Sequence, residues 1–208
     1  MTDDALLKLG GMVEAALADA LNALDRRDLV MADNVIRGDV EINEGRYQIE
    51  EQITSRLAGS DASEARWMVA ALYVISELER MGDHAEGIAK VALMLGPSPS
   101  LPVPSVIRQM GARTKSMVHR TLGALEKRDI KLARALCEED DEIDSLYDRA
   151  YQELISTMVS DHRTITEATY MIWVTHNLER IADRATNICE RVIYLVTGRV
   201  EELNVSKY

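Results

Sequence analysis

Two stretches of the chain set a glutamate and an aspartate one helical turn apart: Leu78-Glu79-Arg80-Met81-Gly82-Asp83-His84-Ala85 and, one hundred positions later, Leu178-Glu179-Arg180-Ile181-Ala182-Asp183-Arg184-Ala185. In a helix, residues four apart project from one face, so each stretch presents two carboxylates side by side. A further pair at the same spacing precedes each: Asp39 with Asn43, and Asp140 with Asp144. One such pair is ordinary solvated surface, but four at repeat-matched positions point to a site. Oxygen-bearing side chains converging from two helices suit hard or intermediate cations. Without a cation the like charges raise one another's pKa, a cost that metal relieves.

Placing successive residues 100° apart locates these acids. Glu79 and Asp83 fall about 140° to 180° from the apolar stripe of Leu78, Met81, Ala85 and Ile88, and Glu179 and Asp183 repeat that geometry. Asp39 and Asp140 lie about 45° from the stripe of their own helices, and Asn43 and Asp144 about 85°. The expected composite is a shallow, partly exposed groove in each repeat, with Gly82 and Ala182 small enough to let an ion or another backbone approach. His176 lies one turn before Glu179, but Ser76 holds the matching position, and His84 beside Asp83 is ambiguous. Cys189 falls on an apolar seam as a small core residue, while Cys137 has no clear assignment.

The elements that must hold these residues are all helical. Apolar residues recur at three-and-four spacing from Asp3 to Leu24, from Leu29 to Leu57, and from a capping box at Asp61 and Glu64 to Leu95. The pattern restarts from Ser105 to Glu126, from Asp129 to Val159, and from Thr164, with Glu167 as its capping partner, to Val196. Between the halves, Pro97-Ser98-Pro99-Ser100-Leu101-Pro102-Val103-Pro104 is too rich in proline for helix and reads as a stiff linker. Ala23 to Leu29 answers Ala124 to Ile130, and Asp39 to Asn43 answers Asp140 to Asp144, both at an offset of 101. The fold expected is all-α: two tandem antiparallel three-helix bundles related by an internal repeat, over residues 1–96 and 105–208 with a linker at 97–104.

Composition agrees. Aromatic residues make up 4% of the chain and Phe is absent, which disfavours sheet, while 47% hydrophobic content is enough for a core. A formal net charge of −11 argues against nucleic acid and favours a cation as the small partner. The longest uncharged run, Val91 to Ile107, contains all four prolines and cannot span a membrane as a helix. No secretory pattern opens the sequence, and its two cysteines suit a reduced, cytoplasmic setting.

The two acid-bearing stretches, the second extended through Thr186-Asn187-Ile188-Cys189-Glu190-Arg191-Val192-Ile193-Tyr194-Leu195-Val196-Thr197-Gly198, resemble the paired signatures of the PhoU family of phosphate-transport regulators. The resemblance covers both repeats. It implies two three-helix bundles in a homodimer, with multinuclear sites for divalent or trivalent metal ions (Fe, Zn, Mn or Mg) at Asp39, Asn43, Glu79 and Asp83 in one repeat and Asp140, Asp144, Glu179 and Asp183 in the other. It also implies a non-enzymatic negative regulator that docks to a phosphate ABC transporter ATPase and a sensor histidine kinase, with no direct membrane insertion. Asn43 leaves the first site one negative charge poorer, and Arg184 stands where the first repeat has His84. Two other readings compete. A metal-free helical adaptor is one, and a carboxylate-bridged metal oxidase is the other, although the Glu-x-x-His pattern of such oxidases occurs nowhere in the chain.

Overall fold

The computed structural model describes residues 3–98, 100–201 and 203. Met1, Thr2, the linker's Pro99, Glu202 and residues 204–208 lie outside the described residues. The described residues form six long helices: α1 (Asp3–Arg26), α2 (Leu29–Leu57), α3 (Ala62–Leu95), α4 (Ser105–Lys127), α5 (Ile130–Ser160) and α6 (Ile165–Thr197). A 3₁₀ turn, His162–Thr164, leads into α6. The all-α, twice-repeated architecture read from the sequence is the one observed.

The punctuation is duplicated too. Arg27 and Arg128, 101 positions apart, both adopt left-handed backbone (φ 59° and 51°) and end the first helix of their repeat. Each is followed by an aspartate N-cap: Asp28 accepts from Met31 N and Asp129 from Leu132 N. Each cap satisfies an amide that the first turn would otherwise leave open. Asp61 and Glu64 form the expected capping box on α3.

Glu167 does not cap α6. Thr164 sits in helical backbone in the 3₁₀ turn and makes no side-chain cap bond. Glu167 instead accepts from the amides of Ser100 and Leu101 and from the Ser100 hydroxyl, and so fastens the linker to the second half.

Helices α1, α2 and α3 pack on one another, as do α4, α5 and α6; α1 meets α4 and α3 meets α6 across the halves. The α3 and α6 helices run antiparallel, since Tyr73 lies beside Arg191, Glu77 beside Arg184 and Asn187, and His84 beside Asn177. The α1/α4 contact shows the pseudo-twofold relation plainly. A Cβ on Gly10 would run into the end of the Leu122 side chain, and one on Gly111, its repeat counterpart, would lie 2.9 Å from Leu21, the counterpart of Leu122. At each place the leucine occupies the space that a Cβ would take. Apart from Ala70, the buried apolar residues described in the six helices form one continuous cluster.

On α3 the apolar stripe of Leu78, Met81, Ala85 and Ile88 is buried, and Ala71, Val74, Ala92 and Leu95 continue it. The helix also buries residues on both flanks of that stripe, Ala70 and Glu77 on one and Ile75 and Ala89 on the other, which the single stripe did not anticipate. The flank that carries Glu77 meets α6. Among the described residues no helix is long and apolar enough to cross a membrane.

Candidate metal centres

Helices α2 and α3 bring Asp39, Glu79 and Asp83 into one electrostatic neighbourhood, with Asn43 at its edge. Gly82 makes room for it: a Cβ there would lie 3.2 Å from Ile42 and 3.4 Å from Asp39 Oδ1. The space at Gly82 is therefore taken by these two side chains. Asn43 Nδ2 donates to Asp39 Oδ2 at 2.6 Å and to the Asp39 carbonyl at 3.1 Å. Asp39 Oδ1 is buried and has no hydrogen-bond partner. Burial, followed by the charges of Asp83, Glu86 and Glu79, pushes the Asp39 carboxyl above the usual range. Glu86 thus joins this acid group, and sequence comparison of the repeats hides it, because Thr186 occupies the matching position.

Neutralisation already begins within the protein. Arg46 Nη1 donates to Glu79 Oε1 at 3.3 Å, and Lys90 pairs with Glu86. Asp83 stays exposed.

The second repeat builds a related acid group. Glu179 Oε2 lies 3.2 Å from Arg180 Nε, and Arg180 Nη1 donates to Asp183 Oδ2 at 3.0 Å, so one guanidinium spans the acid pair. Burial, then Asp183 and Asp144, push Glu179 up to about 7, against the pull of Arg180. Burial likewise raises Asp183. Where the first repeat has Arg46, the second has Tyr147, whose own hydroxyl is pushed up by burial and by Glu179. Asp144 is exposed, but Asp140 is only 3% exposed, deeper than the core-border position expected of it. Its carboxylate sits near Cys137 and Cys189, both buried free thiols.

The histidines take secondary places. Asn177 Nδ2 donates to the Trp173 carbonyl and presents its Oδ1 to His84, so His84 Nδ1 donates to it at 3.0 Å. His176 is exposed and 3.9 Å from Glu179 Oε2. Arg184 reaches across the halves to Glu77 Oε2 at 3.4 Å, and Asn187 Nδ2 donates to the same oxygen at 3.1 Å. Glu77 is 5% exposed, a buried charge at the contact between repeats that nothing in its local sequence announces.

Among the described residues, no three His, Cys, Asp or Glu side chains are gathered closely enough to hold a metal ion. The donors nonetheless suit one chemically. They are carboxylate oxygens with one amide, they repel one another, and at Asp39 a buried oxygen has no donor to meet it. Arginines fill the cation role in this conformation. A metal would require acid side chains to swing away from Arg46 and Arg180.

The PhoU domain matches this chain twice, over residues 6–92 and 107–192. The phosphate-specific transport system accessory protein PhoU homolog of Clostridium acetobutylicum is 35% identical over 202 residues, spanning 96% of this chain and 92% of that protein. The crystal structure of PhoU from Pseudomonas aeruginosa superposes with a TM-score of 0.90 at 35% identity, covering 94% of this chain and 95% of that one. The crystal structure of the phosphate transport system regulatory protein PhoU from Streptococcus pneumoniae also gives 0.90, at 34% identity and with 96% and 95% covered. With both repeats matched and relatives aligned over nearly their whole length, the chain belongs to the PhoU family.

Proposed function

We propose that this protein is a non-enzymatic accessory protein of phosphate transport, a cytoplasmic homodimer that binds divalent or trivalent metal ions at its two acid grooves. It restrains the phosphate-starvation response by docking to the phosphate transporter's ATPase and to a sensor histidine kinase. The names of its relatives support the transport assignment. The observation that carries the metal reading is the buried, unpartnered Asp39 Oδ1 above Gly82, among Glu79, Asp83 and Glu86. A native fold rarely leaves a buried carboxylate oxygen unmet, and a cation meets it directly.

The test is elemental analysis of protein purified without chelator, together with melting curves on adding Mn²⁺, Zn²⁺, Mg²⁺ or iron. Bound metal that is lost on replacing Asp39 and Asp83, or Glu179 and Asp183, by Ala supports the reading. No metal and no melting shift in any condition would reduce the protein to a metal-free adaptor. Capture of purified transporter ATPase or sensor kinase on the immobilised protein tests the docking role separately, and failure with both at physiological salt defeats it.

A further inference from the structure

The groove between α5 and α6 changes character along its length. At one end stand Asp144, Glu179 and Asp183. From there the residues of α5 that follow at four-residue intervals are Tyr147, Tyr151, Ile155 and Val159, a row that drifts about 40° per step around the helix. Tyr147 is close enough to Glu179 and Arg180 to respond to both charges and stacks on Tyr151 with ring centroids 6.4 Å apart. Beyond it the row is open to solvent: Tyr151 is 44% exposed, Ile155 39% and Val159 73%. Ile172 on α6 is partly buried against the core.

The other repeat supplies an internal control. At an offset of 101 the same row reads Arg46, Glu50, Thr54 and Ala58, with Arg46 paired to Glu79 and to Glu50. The fold is built with Glu50 and Thr54 at the places of Tyr151 and Ile155, so apolar side chains at those two places are not needed for packing. Exposed apolar rows that folding does not require mark contact surfaces.

The acids at the end of the row decide what fits. A second copy docked about a twofold axis across the row would set the carboxylates of one protomer against the apolar Val159 end of the other, burying charge without a partner. An anionic bilayer is repelled by the carboxylates. From Asp144 to Val159 the row spans fifteen residues, about 22 Å of helix, the length of a four-turn partner helix.

We propose that the α5/α6 groove is a docking face for an amphipathic helix of a partner protein, whose apolar side chains cover Tyr151 and Ile155 while a Lys or Arg at one end reaches Glu179 and Asp183. This rests on the docking role above and names the chemistry of its partner. Three carboxylates face the guanidiniums of Arg180 and Arg184 at that end, so the metal-free groove attracts a basic side chain, which competes there with a cation.

The probe is a fluorescent eighteen-residue helical peptide of leucine and lysine, with leucine at three-and-four spacing, titrated into the full chain and read by anisotropy. A leucine and glutamate peptide of the same pattern serves as control. Binding of the lysine peptide should weaken at least tenfold in Ile155→Asp and change less than twofold in Thr54→Asp, which adds the same charge at the equivalent place in the first repeat. Val159→Asp repeats the test at a more exposed position should Ile155→Asp fail to fold. Equal losses in the two repeats, or equal binding of both peptides, overturn the proposal. So does sedimentation showing self-association that Ile155→Asp abolishes, or binding to phosphatidylglycerol vesicles that Ile155→Asp abolishes. If the peptide fails while purified transporter ATPase is still captured, this surface is wrong and the docking role stands. Peptide binding without capture of ATPase or kinase supports the surface and defeats the docking role.

Discussion

Replacing Glu179 by Gln should stabilise the metal-free protein at alkaline pH. Burial and the neighbouring acids move this carboxyl from 4.5 to about 7. The folded state therefore holds the proton more tightly than the unfolded chain does, and ionising Glu179 opposes folding. The penalty is absent below pH 4.5, grows between 4.5 and 7, and is complete above 7, so stability falls as pH rises through that window. At 1.36 kcal/mol per pH unit the full penalty is about 3 kcal/mol. The side chain remains 21% exposed, and water access reduces the expected effect to about 2 kcal/mol. Glutamine keeps the shape and cannot ionise. Urea unfolding in chelator should find Glu179→Gln about 2 kcal/mol more stable than the parent at pH 8 and nearly equal to it at pH 4.5. Adding Mn²⁺ should stabilise the parent more than the variant, because a cation removes the same penalty. A variant less stable than the parent at pH 8, or a difference that does not change with pH, would refute the assignment of Glu179 as a strained carboxylate.

Other perturbations probe the scaffold. Glu77→Ala leaves Arg184 and Asn187 facing a void between the repeats and should cost about 3 kcal/mol in urea unfolding, as expected for breaking a buried ion pair. Asp28→Ala and Asp129→Ala each remove one cap bond and should each lower stability by about 1 kcal/mol, additively in the double variant because the caps share no partner. Cys137 and Cys189 should resist Ellman's reagent in the native state and react fully in denaturant, since both are buried and the neighbouring Cys189 sulfur, with burial, pushes the Cys137 thiol up.

Sequence periodicity locates the helices well because their ends are set locally. Asp28 caps α2 from three residues away, and Asp61 with Glu64 closes its box within four residues. Thr164 and Glu167 have the same spacing and fail as a cap, because the partners Glu167 takes, Ser100 and Leu101, lie 67 and 66 residues earlier. Glu77 misleads for the same reason: a charge on a helix reads as surface unless its partner is known, and here Arg184 and Asn187 are more than one hundred residues distant. The acid groove is legible as a repeated pattern, so the residue that breaks the repeat, Glu86, is the one that periodicity misses. The arginines that neutralise the acids are in plain view, yet side-chain reach, not spacing, decides that Arg180 spans its own pair while Arg46 comes from the neighbouring helix.

The buried contact between the halves also bears on how a duplicated sequence lives as one protein. Glu77 is met by Arg184 and Asn187 of the other half, and Leu122 seats against Gly10 as Leu21 does against Gly111, so neither repeat has a finished surface of its own. Such halves are expected to behave as one cooperative unit. The halves should melt in a single transition, and a substitution on α3 is felt by both.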